Sequence, residues 1–162
     1  MKEMIFDILD ELGIPFEKQE HRAIFSEKDC EGVEILLEGI DVKNLFVKDK
    51  KGNYGLVSMD LHKRADLKKI EKILGFGRLS FCNEEELKEF LNITPGSVTP
   101  LCIMADTQKK VKVLFDENFE GKKVIVHPLR NTASISIDFE DLKKFTKYFE
   151  HDFTVADVYK DE

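Results

Sequence analysis

Asn44-Leu-Phe-Val-Lys48, Asp49-Lys-Lys-Gly-Asn53 and Tyr54-Gly-Leu-Val-Ser58 follow one another without a break. The outer runs are rich in apolar, β-branched and aromatic residues. The middle run is polar and contains a glycine. Two such runs joined by a short polar turn predict a β-hairpin.

Working outward from the hairpin, helical and extended patterns alternate. On the N-terminal side, Met4, Ile5, Ile8, Leu9 and Leu12 fall at helical spacing, with Gly13 as a C-terminal stop and Pro15 beyond it. Residues 16–24 read as a first strand. Ser26 followed by Asp29 resembles a capping box, so a second helix is expected to run to about Leu37. On the C-terminal side, Asp66 caps a helix through Leu67, Ile70, Ile73 and Leu74, with Gly75 past its end. Residues 79–81 read as a short strand, and Asn83 with Glu86 opens a helix through Leu87, Phe90 and Leu91. Strands are then expected at 101–104, 111–115, 123–126 and 133–137. Asp138 opens a helix through Leu142, Phe145 and Phe149, and residues 153–158 form a β-like tail. Short turns favour antiparallel pairing. The predicted class is α+β, with a mixed, mostly antiparallel sheet flanked by helices, in one domain spanning 1–162.

The bulk numbers fit that reading. A chain of 162 residues buries a core without metals or disulfides. The sequence has no apolar run of the roughly 18–20 residues that a membrane span needs. The acid-studded N-terminus is no signal peptide, so a cytoplasmic protein with no membrane association is expected. Cys30, Cys82 and Cys102 are scattered and odd in number, which suits a reducing compartment and small buried thiols. The four histidines form no H-x-H or H-E-x-x-H pair, so no metal and no organic cofactor are expected.

Net charge is −7, yet residues 43–78 hold ten Lys/Arg against four acids, which leaves +6 there and −13 elsewhere. A basic stretch on an acidic body can meet phosphate, because the local field governs contact. A solvated lysine-rich face is the plainer alternative.

Familiar phosphate and nucleophile signatures are missing. Gly75-Phe-Gly77 is a lone G-x-G after a helix and reads as a helix stop. The chain has no P-loop and no G-x-S-x-G elbow. Three other features carry chemical interest. Lys43 stands at the mouth of an apolar strand, where a lysine can meet phosphate as a point charge. In Thr94-Pro-Gly-Ser-Val-Thr-Pro100, Gly96 can take positive φ, and N–H groups from Gly96, Ser97, Val98 and Thr99 could face an oxyanion. His127 ends a strand in His127-Pro-Leu-Arg-Asn131 and could serve as a hydrogen-bonding group or general base. Taken singly, each has an ordinary structural explanation: a strand-start lysine, a rigid connection, a turn histidine.

Together and in this order, Lys43-Asn-Leu-Phe-Val47, Gly77-Arg-Leu-Ser-Phe81, Glu85-Glu-Leu87, Gly96-Ser-Val-Thr-Pro100 and His127-Pro-Leu-Arg-Asn131 resemble the YbaK/ProX (PrdX) family of prolyl-tRNA-synthetase-associated editing domains. The likeness runs over about residues 2–150. It implies a curved sheet and hydrolysis of the ester between a wrongly attached amino acid and the terminal adenosine of tRNA. It further implies that Lys43 contacts the tRNA 3′ end, that the Gly96 loop holds the aminoacyl group, and that His127 lines the amino-acid pocket, as in the free-standing alanine-editing branch. The expected partner is the mischarged acceptor end of tRNA(Pro), with prolyl-tRNA synthetase as a further docking partner.

Such an ester is already activated, and the sequence shows no Ser-His-Asp or Cys-His set. The expected mechanism is attack by a positioned water, helped by the neighbouring ribose hydroxyl, with Lys43, Gly96 and His127 as the central residues. Ile24, Phe25, Ser26, Asn44, Leu45 and Asn131 are expected around the substrate, and Arg78 on the acceptor stem. Alternatives are a Cys-tRNA(Pro) deacylase of the same fold, a hydrolase of small acyl esters, and a non-catalytic tRNA- or synthetase-binding module.

Overall fold

In a computed structural model the described residues are 4–24 and 32–161. The hairpin is the spine of the fold. Strand β2 (Ile40–Lys48) pairs antiparallel with β3 (Tyr54–Asp60), with Leu45 opposite Val57. Its tip is organised by Asp49, whose carboxylate accepts from the N–H groups of Lys51, Asn53 and Gly77 and from the Asn53 amide at 2.9–3.1 Å. These donors, the Asn53 side chain foremost, hold the Asp49 carboxyl down to about 2.

Around this spine lie α1 (Met4–Glu11), β1 (Glu17–Glu20), α2 (Leu67–Leu74), β4 (Ser80–Phe81), α3 (Glu84–Leu91), β5 (Val111–Asp116), β6 (Lys123–Val126), β7 (Ala133–Asp138), α4 (Phe139–Tyr148) and β8 (Phe153–Ala156). They build one eight-stranded sheet in the order β1-β7-β6-β2-β3-β5-β8, with β4 added to β2. Four pairings are antiparallel and three, β2–β6, β3–β5 and β5–β8, are parallel, so the sheet is mixed and mostly antiparallel.

Both faces are covered. One cluster of buried residues draws Ile5 and Leu9 from α1, Leu87 and Leu91 from α3, and Leu142 and Phe145 from α4 onto Phe46, Leu56 and Phe115. On the other face Ile70 and Leu74 of α2 meet Val47, Val57, Met59 and Leu114. Strand β3 therefore buries residues from Gly55 to Asp60 without alternation, as a strand sandwiched between layers must. Each fully buried Leu or Ile contributes about 1.5–3 kcal/mol.

The helix ends follow local chemistry. The Asp66 side chain accepts from the N–H groups of Lys68 and Lys69, and Gly75 closes α2 at φ 73°. Asn83 and Glu86 form a reciprocal capping box on α3. Two expectations need correction. Residues 101–104 lie in a 3-10 turn, Pro100–Ala105, rather than a strand. Pro100 starts the turn with the φ it prefers, and a short buried apolar run has no period to distinguish strand from helix. The helix expected to reach Leu37 is absent from residues 32–37, which form a turn and loop. Its proposed start at Ser26 lies outside the described residues. Among the described residues no helix is long and apolar enough to cross a membrane.

Candidate active site

Strand β2 belongs to two ladders. Ile40 and Asp41 pair with Val124 and Ile125 of β6, and from Val42 onward β2 pairs with β3. On the β6 side, β4 joins only at Val47 and Lys48. The stretch between is an open strand edge, and a cavity of about 250 Å³ lies there. Gly39 permits the split: at φ +143° it passes so close to β6 that a Cβ would stand 3.0 Å from the Lys123 carbonyl oxygen.

Lys43 and Asn44 line the cavity from β2, Gly96 and Val98 from the loop before the 3-10 turn, His127 from just past the end of β6 and Ser134 from β7. Lys43 is half-buried, and its side chain has no ion pair or hydrogen bond among the described residues. Asn44 is fixed at both ends of its amide: Nδ2 donates to the Val98 carbonyl at 3.0 Å, and Oδ1 accepts from the buried Ser58 hydroxyl at 2.6 Å. This clamp ties the Gly96 loop to β2. Gly96 itself sits at φ 87°, a conformation that other residues reach only with strain.

His127 is held by Nδ1, 3.1 Å from the Ala133 carbonyl oxygen. A carbonyl only accepts, so Nδ1 carries the proton. Burial, with help from nearby His21, lowers the imidazole below its ordinary value. The neutral ring thus has Nε2 as a bare acceptor, with no partner among the described residues. The loop that follows is braced from outside. Arg130 makes a two-point ion pair with Glu20 at 2.7 and 2.8 Å, which holds the Glu20 carboxyl at about 2.

Of the residues singled out in the sequence, Lys43, Asn44, Gly96, Val98, His127 and Ile24 meet at this cavity. Others serve elsewhere. Leu45 packs on the α2 side of the sheet, in the cluster of Val47 and Val57, and does not line the cavity. Ser97 lines a second cavity behind the loop, and its N–H closes a turn onto Thr94. Thr99 is buried as the cap of the 3-10 turn. The Asn131 carbonyl accepts from the Ile24 N–H. Arg78 lies at the opposite end of the hairpin, beside the Gly77–Asp49 bond. Phe25 and Ser26 lie outside the described residues. Of the oxyanion donors expected from Gly96 to Thr99, the Ser97 N–H is engaged, while those of Gly96, Val98 and Thr99 have no partner among the described residues, and of these three only Gly96 and Val98 line the cavity.

Sequence reading missed Asp41, Val42, Leu61, Ile125 and Ser134 in the lining and Ser58 behind it. Only cross-strand register brings them there. Neither described thiol is a nucleophile, since burial pushes Cys82 and Cys102 up to about 12.

The cavity brings together one lysine, a loop shaped by a glycine at positive φ, a buried imidazole and branched apolar walls. The chain belongs to the aminoacyl-tRNA editing domain family, whose sequence profile matches residues 27–145. It is 37% identical over 150 residues to the prolyl-tRNA editing protein ProX of Acetoanaerobium sticklandii, covering 90% of each chain. It is 36% identical to the prolyl-tRNA synthetase associated domain-containing protein 1 of Mus musculus, over 89% of this chain and 88% of that one. A solved structure described as a candidate trans-editing enzyme for prolyl tRNA synthetase shares the fold at TM-score 0.73 and 21% identity, covering 99% and 97% of the two chains.

Proposed function

We propose that this chain is a trans-editing aminoacyl-tRNA deacylase that hydrolyses the ester of mischarged tRNA(Pro), with alanine as the amino acid removed. The observation that carries this reading is the meeting of Lys43, the Gly96 loop and His127 around one cavity. Family membership and the name of its ProX relative support it further.

In this reading Lys43 anchors the terminal phosphate, and the Gly96 loop receives the ester carbonyl. Attack by water on the carbonyl carbon forms the new C–O bond. Collapse of the tetrahedral species then breaks the ester bond, and the ribose oxygen leaves with a proton. Holding ester and water in register supplies several kcal/mol of the barrier, by the logic of effective molarity. Unpartnered N–H groups at Gly96 and Val98 are suited to the oxyanion, worth roughly 3–4 kcal/mol per donor in other hydrolases. Ile24, Val42, Val98 and Ile125 wall the cavity and favour a methyl side chain over a pyrrolidine ring. Glycine and serine esters are expected to leak through, since one methylene is worth only about 1–3 kcal/mol.

The test is release of amino acid from tRNA(Pro) charged with Ala, Cys, Ser or Pro. Alanine released fastest and proline retained is the expected pattern. Preference for the cysteine ester would reassign the substrate, and no release from any charged tRNA would overturn the proposal. Assays with and without prolyl-tRNA synthetase ask whether docking on that enzyme raises the rate.

A further inference from the structure

Strands β6 and β7 pair with Val126 opposite Ile135, and continuing that register sets His127 opposite Ser134. Directly opposed residues project to the same face about 5 Å apart. Both line the cavity, and Ser134 is only 4% exposed. Its hydroxyl lies 2.9 Å from His21 Nε2. His21 Nδ1 is 2.8 Å from the Arg22 carbonyl oxygen, which can only accept. With His21 neutral, its Nε2 therefore takes the Ser134 proton, and the Ser134 oxygen offers lone pairs to the cavity. His127 Nε2 is a second acceptor beside it. Asp41, paired through β2 with Ile125 of β6, also lines the cavity, but its carboxylate lies 3.6 Å from His62 Nε2. Among the described residues, the one cation in the lining is Lys43. The cavity is thus polarised, with a donor charge at the Lys43 rim and acceptors gathered at the β6–β7 wall.

We propose that Ser134, oriented by His21 and acting beside His127, is a specificity residue that receives the α-ammonium group, so that the enzyme requires aminoacyl esters with a free amine and rejects N-acylated ones. This rests on the deacylase reading above and names the chemistry of its substrate. An ammonium brings three donors to acceptors that otherwise lack them. An amide nitrogen brings one donor and no charge. The site thereby separates mischarged aminoacyl-tRNA from N-blocked and peptidyl esters, whose ester bond is the same.

The test compares alanyl-tRNA(Pro) with N-acetylalanyl-tRNA(Pro), each rate divided by its hydrolysis in buffer, for the wild type and Ser134→Ala. The wild type is expected to prefer the free amine by about a hundredfold, the scale of a charge-assisted pair of hydrogen bonds. Ser134→Ala is expected to lose roughly tenfold on the free-amine ester, by the loss of one such bond, and nothing on the acetylated one. Equal wild-type rates on the two esters would overturn the proposal. So would a loss beyond about a thousandfold on both, the signature of a missing nucleophile. A second arm needs no turnover: binding of 3′-(L-alanylamino)-3′-deoxyadenosine against its N-acetyl derivative, by calorimetry. Tighter binding of the free amine by about tenfold is expected, from the same hydrogen-bond scale. Equal binding overturns the proposal even if deacylation stands. Absence of deacylation with selective binding would instead remove the catalytic reading.

Discussion

In the proposed deacylase His127 acts as a neutral ring. Burial lowers its imidazole, so the ring stays unprotonated into mildly acidic solution. The unfolded chain, with an ordinary value near about 6.5, takes up the proton first as pH falls. The unfolded state then binds more protons, so this histidine's contribution to stability is complete above about pH 6.5 and is lost as pH falls through the folded value. Enzyme rate relative to buffer should show the same acid limb, with its inflection below the ordinary histidine range. In His127→Gln, which cannot titrate, that limb should vanish from the pH profile. Lys43 makes the opposite kind of prediction. Its side chain has no described ion-pair or hydrogen-bond partner, so Lys43→Ala should leave stability within about 0.5 kcal/mol of wild type in denaturant titrations. Deacylation should fall by roughly a hundredfold, the upper range for a charge-assisted contact. Full activity in that variant would remove Lys43 from the site.

At the scale of elements, the site depends on a loop pinned to a strand edge. Ser58 holds Asn44, and Asn44 holds Val98, two residues from Gly96. Ser58→Ala should cost about 1–3 kcal/mol for the lost buried hydrogen bond, and the loosened loop should lower kcat more than it raises KM. Val57→Ala is the control. It removes comparable stability from the α2 side of the same strand without touching Asn44, so activity per folded molecule should hold. Gly39→Ala should also lower both stability and rate, by forcing β2 and β6 apart at their 3.0 Å approach. These devices also show what could be read in the chain alone. Asp66, Gly75, Asn83 and Glu86 act within a few positions of themselves, and their caps are where the sequence places them. The hairpin was legible for the same reason. The 3-10 turn at Pro100–Ala105 was not, because burial on all sides erases periodicity. Ser58, Asp41 and Ser134 carry no local signal at all. Ser58 reaches the site only through the register of its own hairpin, opposite Asn44, while Asp41 and Ser134 get there through pairing with distant strands, and parallel pairs such as β2–β6 cannot be inferred from short turns.

Across the whole molecule, the basic segment 43–78 divides once it is folded. Lys48 is engaged by Glu86 at 2.7 Å, and Lys69 by Asp157 at 3.1 Å, so neither is available to a phosphate without losing its partner. Lys43 lines the cavity, while Lys63, just past the end of β3, has its ammonium 5.8 Å from the Tyr159 ring. Lys50, Lys51 and Arg78 collect at the hairpin tip, where Gly77 is tied to Asp49, and exposed Phe81 lies on β4 nearby. Six strand steps separate Lys43 from Asp49, which is about 20 Å at strand rise. One nucleic-acid strand seated at the cavity and running along this edge would meet both Lys43 and the tip group on an otherwise acidic body. An exposed aromatic beside the tip group suits base stacking. This surface yields a salt dependence with a definite slope. Three phosphate contacts to a single-stranded end give a log–log slope near −2, so raising salt from about 50 to 200 mM should weaken binding roughly twentyfold. Arg78→Ala should flatten the slope by about 0.7, one contact's worth, and raise KM for charged tRNA while kcat holds, because it acts far from the ester. The short amide analogue 3′-(L-alanylamino)-3′-deoxyadenosine does not span 20 Å and should bind Arg78→Ala and wild type alike. A flat salt response in the wild type would assign the basic segment to solubility, and the acceptor end would then have to be held by the cavity alone.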